Sequence, residues 1–566
     1  MTEEDKGHEG SAQGVNRIEG LSTGVPGFDA ILGGGLPRFS FNLIAGSPGS
    51  GKTTLAQQII FANATAKSPA LYFTVLGEPT LKMLRYQREF AFYDPALVGS
   101  AIHYVNLSEE ALAPDLYGLL ARMIAEVERL KPGIVVVDSF RTFSGRVSQS
   151  PAMPIEEFIQ RLALHLTSWE VTSFLIGEYA EHEQRNPVFT VADGVFWMSQ
   201  VTDRNSVVRK LQVVKVRGRA PMPGLHTYRL TGKGVQIFPR IPEHQGERRQ
   251  QAMHRLTTGV PGLDGLMGGG VPAGDALMLA GPAGSGKTTF ATQFAAEGLA
   301  QGEAVIIVVF EEYPEEYLAR AKARNQDLEQ GIAAGKLRVI YLRPLDLSVD
   351  ETLAEIMEAV GQIDASRVII DSLSGFEVAL APTFREDFRE SLYRLVGALT
   401  ATGVTLFMTT EIVGDYPHVR FTSEKVSFIT DDIIVQRFVE IDGVLRTVLA
   451  IHKMRGSEHS RDFLSYEITA NGAVIGGPLR NYRGILTGVP EIELRPPHIV
   501  HPGLTEAEEM VFATLVRLVS ATPELLADRA GQRKAEVLPT LARLVTLGYA
   551  TQDDAGGYRA IAQTSA

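Results

Sequence analysis

The chain has no cysteine among its 566 residues. That excludes disulfides, thiolate metal sites and cysteine nucleophiles, and it fits a cytoplasmic setting. No apolar run reaches the roughly 18 residues that a membrane-spanning helix needs, so no span is expected. The opening Met1-Thr-Glu-Glu-Asp-Lys6 lacks a basic stretch followed by an apolar one, so no secretory leader is expected. A surplus of positive charge is missing too. The formal net charge of −12 argues against broad electrostatic binding to nucleic acid, although a local patch could still bind. What is present is the composition of a folded soluble protein, 45% apolar and 21% charged. At about 150 residues per domain the length allows three or four domains.

Two glycine-rich loops stand out. The first supplies Gly46, Ser47, Gly49, Ser50, Gly51, Lys52, Thr53 and Thr54, and the second Gly281, Gly284, Ser285, Gly286, Lys287, Thr288 and Thr289. Both fit G-x-x-x-x-G-K-[ST], and their lysines lie 235 residues apart. Such a loop wraps backbone N–H groups around phosphate oxygens and opens a helix whose N-terminus favours an anion. The lysine adds a point charge near the β- and γ-phosphates, and Thr53 or Thr288 offers a hydroxyl to Mg²⁺.

The loops sit inside a duplication. Leu21-Ser-Thr-Gly-Val-Pro-Gly27 and Gly33-Gly-Gly35 recur as Leu256-Thr-Thr-Gly-Val-Pro-Gly262 and Gly268-Gly-Gly270. Each copy continues as apolar strand, loop, helix, strand, helix, strand, which predicts layered α/β domains with mostly parallel sheets. Expected strands include 41–45, 71–75, 134–137 and 174–176, with 276–280, 305–310, 368–370 and 406–408 in the second copy. Their near-continuous apolar character suits strands covered on both faces. The expected organisation is a polar tail over 1–14, α/β domains over 15–243 and 250–485, and a smaller domain over 500–566. That last segment reads as three helices and a hairpin, a winged-helix-like α+β pattern, with Thr505 and Glu508 forming a capping box. It carries six basic and eight acidic residues from His501 onward. A DNA-reading wing is normally basic, so protein packing is weighed ahead of nucleic acid there.

Three constellations carry chemistry. Asp138 and Asp371 each close an apolar strand, where a carboxylate orients the shell of Mg²⁺ beside a phosphate loop; the alternative is a helix cap. Glu311 and Glu312 follow the next strand of the second copy, where a glutamate can polarise an attacking water. Neighbours in an extended segment face opposite ways, so only one can touch that water. The first copy keeps Glu78 but has Gly77 before it. Lys215 and Arg217, like Lys453 and Arg455, stand two apart at a strand end and point the same way. They can form a cationic pair aimed at phosphates, delivered in cis or in trans, or simply solubilise an edge strand.

The ordered set resembles the KaiC family of RecA-like P-loop ATPases. The resemblance rests on the Thr-Gly-Val-Pro-Gly openings, the triple glycines, both phosphate loops, Glu311-Glu312, the Asp-Ser pairs and the Lys-x-Arg-Gly motifs. It also rests on Ile429-Thr-Asp-Asp432 and Val191-Ala-Asp-Gly194, and it covers about residues 15–490. It implies a double-ring hexamer, a homo-oligomer with ATP between subunits and Mg²⁺ as cofactor. Lys215, Arg217, Lys453 and Arg455 would reach a neighbour's nucleotide. Glu311 would be the general base, Glu312 its support, and Gly77 puts hydrolysis by the first copy in question. The family's clock protein autophosphorylates a Ser-Thr pair, which falls here on Ser427 and Phe428, so one acceptor is retained and one is lost; Thr422 matches another hydroxyl near that site, and Ser427 and Thr422 are the candidate phosphoacceptors that the resemblance implies. The reading expected is an ATPase and ring-forming regulator with serine/threonine autokinase activity. The alternatives are a DNA-stimulated RecA-like motor and a nucleotide-bound scaffold with little turnover. An unnamed protein partner is expected at the C-terminal domain, and whether a circadian clock operates depends on partners outside this chain.

Overall fold

The computed structural model describes residues 19–75, 80–108, 116–140, 153–179, 187–203, 206–240, 254–342, 347–380, 384, 388–412, 429–441, 443–479, 482–485, 491–492, 503–530, 532–553 and 556–561. The chain forms two compact units, Met1–Pro478 and Leu479–Ala566. The first holds two lobes built on matching nine-stranded sheets.

In the first lobe the strands are β1 (Phe41–Gly46), β2 (Ala70–Thr74), β3 (Ile102–Asn106), β4 (Ile134–Asp138), β5 (Thr172–Glu178), β6 (Gly194–Asp203), β7 (Ser206–Val216), β8 (Leu225–Thr231) and β9 (Gly234–Phe238). They lie in the order β9-β8-β7-β6-β1-β5-β4-β2-β3. The six from β6 to β3 run parallel, and β7 to β9 extend the sheet antiparallel. Helices α1 (Lys52–Asn63), α2 (Leu116–Leu130) and α3 (Ile155–Ser168) cover it. Alternate side chains of one strand go to opposite faces. Ile44, Tyr72, Val136 and Phe196 therefore share a core with Leu55 and Ile59 of α1. Leu43, Leu71, Val135 and Leu175 share another with Met123 of α2 and Phe158 of α3. Nine of the twelve residues of α1 are buried, so this helix is enclosed on most of its circumference and needs no polar stripe.

The second lobe repeats the plan with β10 (Ala276–Gly281), β11 (Val305–Val309), β12 (Leu337–Tyr341), β13 (Arg367–Asp371), β14 (Thr405–Glu411), β15 (Asp432–Ile441), β16 (Val444–Lys453), β17 (Leu464–Thr469) and β18 (Gly472–Pro478). Their order is β12-β11-β13-β14-β10-β15-β16-β17-β18. Helices α4 (Lys287–Ala300), α5 (Val349–Ile363) and α6 (Phe388–Ala401) cover it. One addition is Arg367, fully buried, paired with Glu303 at 2.5 Å and set 4.3 Å over the Phe294 ring. Ion pairs join the lobes: Arg229 of β8 to Glu351 of α5 at 2.9 Å, and Arg240 to Glu390 of α6 at 2.8 Å.

The second unit contains α7 (Glu506–Leu518), β19 (Ser520–Ala521), α8 (Pro523–Ala530), α9 (Lys534–Thr546), β20 (Ala550–Gln552) and β21 (Tyr558–Ala560). The capping box is present, with Thr505 N donating to Glu508 Oε2 at 2.8 Å. The expected hairpin is β20–β21, and β19 adds a third, unforeseen strand to give the order β19-β21-β20 of a winged helix. Val511, Leu515, Leu526, Val537, Leu541 and Leu544 form its core. Three of its cations are answered inside the unit: Arg533 by Glu536, Lys534 by Glu524 and Arg543 by Glu508.

Candidate functional site

Both phosphate loops leave the C-terminal end of a central strand and enter a helix. At Gly46 φ is 146°, and a Cβ there would lie 1.8 Å from the Met198 carbonyl, so only glycine fits the turn out of β1. Gly51 and Gly286 take left-handed φ of 89° and 91° just before α1 and α4. A tyrosine from the antiparallel half braces each loop: Tyr228 OH donates to the Ser50 carbonyl at 2.5 Å, and Tyr466 OH to the Ser285 carbonyl at 2.7 Å. The lysines fold back onto the loops. Lys52 Nζ donates to the Ser47 carbonyl at 2.7 Å, and Lys287 Nζ to the Gly281 and Pro282 carbonyls at 3.0 and 2.8 Å. Burial pushes both ammoniums below their ordinary pKa. Nearby carboxylates pull the other way, Glu178 and Asp138 on Lys52, and Glu411, Asp371 and Glu311 on Lys287. Among the described residues the buried hydroxyls of Ser47 and Ser50 lack a partner.

The strand-end acids meet the loops. Thr53 Oγ1 donates to Asp138 Oδ2 at 2.8 Å, and Tyr72 OH donates to the same oxygen at 2.7 Å. Burial raises the Asp138 pKa, against those two hydrogen bonds and the charge of Lys52. In the second copy Asp371 Oδ1 accepts from Thr409 at 2.5 Å. Among the described residues no cluster of three histidines or carboxylates could hold a metal unaided. A hydroxyl beside a carboxylate suits Mg²⁺, which takes one or two protein groups and fills its shell from phosphate and water. Thr53 and Asp138 are the residues that would hold it in the first copy, and Thr288 and Asp371 match them in sequence in the second.

The paired glutamates part company. Glu311 is exposed, and its Oε1 accepts from Ser372, the neighbour of Asp371, at 3.4 Å. Glu312 is half-buried and paired with Arg320, and burial raises its pKa. Val309 and Asp371 stand opposite in register, which sets Glu311 beside the strand-end acid. Gly77, Glu78, Thr422 and Ser427 lie outside the described residues.

The Lys-x-Arg pairs sit at the other end of the sheet. Arg217 N donates to the Asp193 carbonyl at 2.9 Å, and Asp193 N to the carbonyl of Phe41, the first residue of β1, at 2.7 Å. The Arg217 guanidinium pairs with Asp193 at 2.9 Å, while Lys215 Nζ donates to the Phe189 and Thr190 carbonyls at 3.2 and 3.3 Å. Likewise Asp431 N donates to the Ala276 carbonyl at 3.0 Å, Arg455 pairs with Asp431 at 3.4 Å, and Lys453 Nζ donates to the Thr430 carbonyl at 2.5 Å. Phe41 and Ala276 begin the strands that Gly46 and Gly281 end. Five steps at about 3.3 Å put roughly 16 Å between the basic pair and the start of its own loop. Beneath Arg455 lies Asp432, fully buried, with Oδ1 accepting from Arg455 N at 3.4 Å. Burial and the nearby Asp275 push its pKa up to about 7.

Sequence reasoning passed over Glu178 and Glu411. They pair in register with Gly46 and Gly281, which brings a carboxylate to each loop from β5 and β14. A strand-ending glutamate at matching places in both copies was the available signal. Among the described residues no helix is long and apolar enough to cross a membrane.

The comparisons with known proteins agree with this geometry. The sequence model of the KaiC ATPase family matches residues 21–241 and again 256–480. The chain is 30% identical over 492 residues to the circadian clock protein KaiC3 of Synechocystis sp., covering 84% of this chain and 96% of that protein. It is 26% identical over 504 residues to the circadian clock oscillator protein KaiC of Picosynechococcus sp., covering 87% and 95%. With the KaiC oscillator protein of Rippkaea orientalis the identity is 28% over 505 residues, covering 87% and 94%. Two phosphate loops in duplicated sheets, each matched by the same family, place the chain in the KaiC family of ATPases.

Proposed function

We propose that the protein is a ring-forming ATP-hydrolysing regulator whose sites are completed by a neighbouring subunit. The observation that carries this reading is the separation of each Lys-x-Arg pair from its own phosphate loop, roughly 16 Å along the central strand. A cation so far away serves a nucleotide only if that nucleotide is bound by another copy. A head-to-tail ring supplies that arrangement, and the family's relatives lead us to expect a hexamer. Lys453 and Arg455 then act on the neighbour's second site, and Lys215 and Arg217 on its first.

Within a site the lysine and the loop N–H groups hold the phosphates. Bound Mg²⁺ would neutralise charge on the β- and γ-oxygens. Glu311 accepts a proton from the water that attacks the γ-phosphorus, while the bond to the β-phosphate oxygen breaks and ADP leaves. Glu312, held by Arg320, keeps the segment extended. The first site has Gly77 where the base belongs, and we assign it mainly to holding ATP between subunits. Because ATP then binds only the assembled state, nucleotide strengthens the ring by mass action.

The pairing of Arg533, Lys534 and Arg543 with acids supports a protein partner, rather than nucleic acid, for the winged-helix unit. Light scattering tests the assembly: a hexamer in ATP·Mg²⁺ that weakens on nucleotide removal is expected, and a monomer under saturating ATP refutes it. Autophosphorylation on Ser427 or Thr422 is a separate part of the reading, tested by mass spectrometry after incubation with ATP.

A further inference from the structure

We infer that Arg324 grips the nucleotide at the second site and that, among the described residues, the first site has no such residue at the matching position. The inference rests on the reading of that loop as a nucleotide site. Arg324 follows the helix Pro314–Lys322, in a turn fixed from several sides. Its N–H donates to the Ala321 carbonyl at 3.0 Å, and Asn325 adopts a left-handed φ of 56°. Asn325 and Gln326 then tie the turn to Asn471, between β17 and β18, at 2.6 and 3.0 Å. From this mount Arg324 Nη1 donates to Thr289 Oγ1 at 2.9 Å.

Thr289 is the second hydroxyl after Lys287, in the first turn of α4. In such loops the lysine reaches the β- and γ-phosphates, the next hydroxyl serves the metal, and the N–H groups cradle the α- and β-phosphates. Arg324 thus stands beside the cradle, half-buried, with one donor used and a fork of others left. Among the described residues no carboxylate pairs with it. A guanidinium so held matches a phosphate oxygen in geometry and charge.

The first lobe differs at this position. Gln57 and Thr292, each five residues past its loop lysine, touch Met83 and Tyr317 respectively, which aligns the two following helices. Seven residues further on, Arg324 corresponds to Phe90, whose ring stacks on Phe92 with centroids 5.3 Å apart. An aromatic pair replaces the cation, so the two sites differ in charge at the nucleotide.

The test is a fluorescence titration of the full chain with mant-ADP in two backgrounds. Lys52→Ala leaves the second site intact, and Lys287→Ala leaves the first. Arg324→Ala is expected to weaken binding about tenfold or more in the Lys52→Ala protein, as loss of one charge-assisted hydrogen bond would. It should change nothing in the Lys287→Ala protein. Arg324→Lys should retain much of the affinity. Arg324→Gln, which can still bond Thr289, should lose nearly as much as alanine. Full rescue by glutamine, or unchanged affinity after Arg324→Ala, overturns the inference while the site still binds. No binding by the Lys52→Ala protein with Arg324 in place overturns the nucleotide reading, and the inference with it.

Discussion

Asp432→Asn should stabilise the second lobe at neutral and basic pH and do little or the reverse in acid. Asp432 is fully buried, its Oδ2 has no partner among the described residues, and Asp275 and Asp431 lie near it, with Arg255 a weaker opposing charge. Its folded pKa is about 7, against about 3.9 for an unfolded aspartate. A raised carboxylate pKa means the native state holds the proton longer. Stability contributed by the neutral form is therefore lost as pH rises from about 4 through 7. The penalty grows from roughly 1 kcal/mol at about pH 4.5 to roughly 4 kcal/mol at about pH 8. Asparagine removes it but buries an unpaired amide, costing about 1–2 kcal/mol. The net gain is then about 2–3 kcal/mol at about pH 8 and near zero or slightly negative at about pH 4.5. Calorimetry of the nucleotide-free protein should show the second-lobe transition rising by several degrees at the higher pH, at about 2–4 °C per kcal/mol. The first lobe is an internal control, since Gly194 occupies the matching register position. A shift independent of pH, or a loss of stability at about pH 8, would refute the reasoning.

Glu311→Gln should lower ATP turnover by about a hundredfold or more while nucleotide binding survives, and by more than Glu78→Gln; equal losses in a steady-state phosphate-release assay would contradict the unequal pair. Arg367→Ala should cost about 3–5 kcal/mol by stranding Glu303, and replacing the pair together, as Arg367→Met with Glu303→Met, should be much milder. Denaturant melts that rank the two variants the other way would remove the buried pair from the account. Reversing the lobe-bridging charges singly, as Arg229→Glu or Glu351→Arg, should lower the melting temperature more than the double reversal does. A double variant no better than the singles in a thermal melt means the pair contributes nothing across that contact.

The parallel half of each sheet was legible because β1, β2 and β4 are almost unbroken apolar runs, and the loops between them carry unmistakable glycine spacing. The winged-helix unit was legible through Thr505, Glu508 and the helical period that follows. What the sequence hid were facts of register. Glu178 reaches Gly46 only because β5 pairs with β1, although the two strands lie far apart in sequence. Arg324 meets Thr289 through a turn anchored to a hairpin almost 150 residues later, and no local pattern announces that. The Lys-x-Arg motifs could be found in sequence, but their place at the opposite end of the central strand from their own loop needed the strand direction. Arg367 has no local signal at all, since a charge inside an apolar strand ordinarily argues for an edge.

Completion of each site by a neighbouring subunit is tested most directly by subunit mixing. A Lys287→Ala protein keeps its Lys453 and Arg455 but has a defective second loop. A protein with Lys453→Ala and Arg455→Ala keeps the loop but lacks the pair. In rings assembled from equal amounts, about a quarter of the head-to-tail interfaces should join an intact loop to an intact pair. ATP turnover should then rise above the mean of the two parents, towards a quarter of the second-site rate. Turnover that stays at that mean, in rings shown to contain both subunits, would contradict completion by a neighbour.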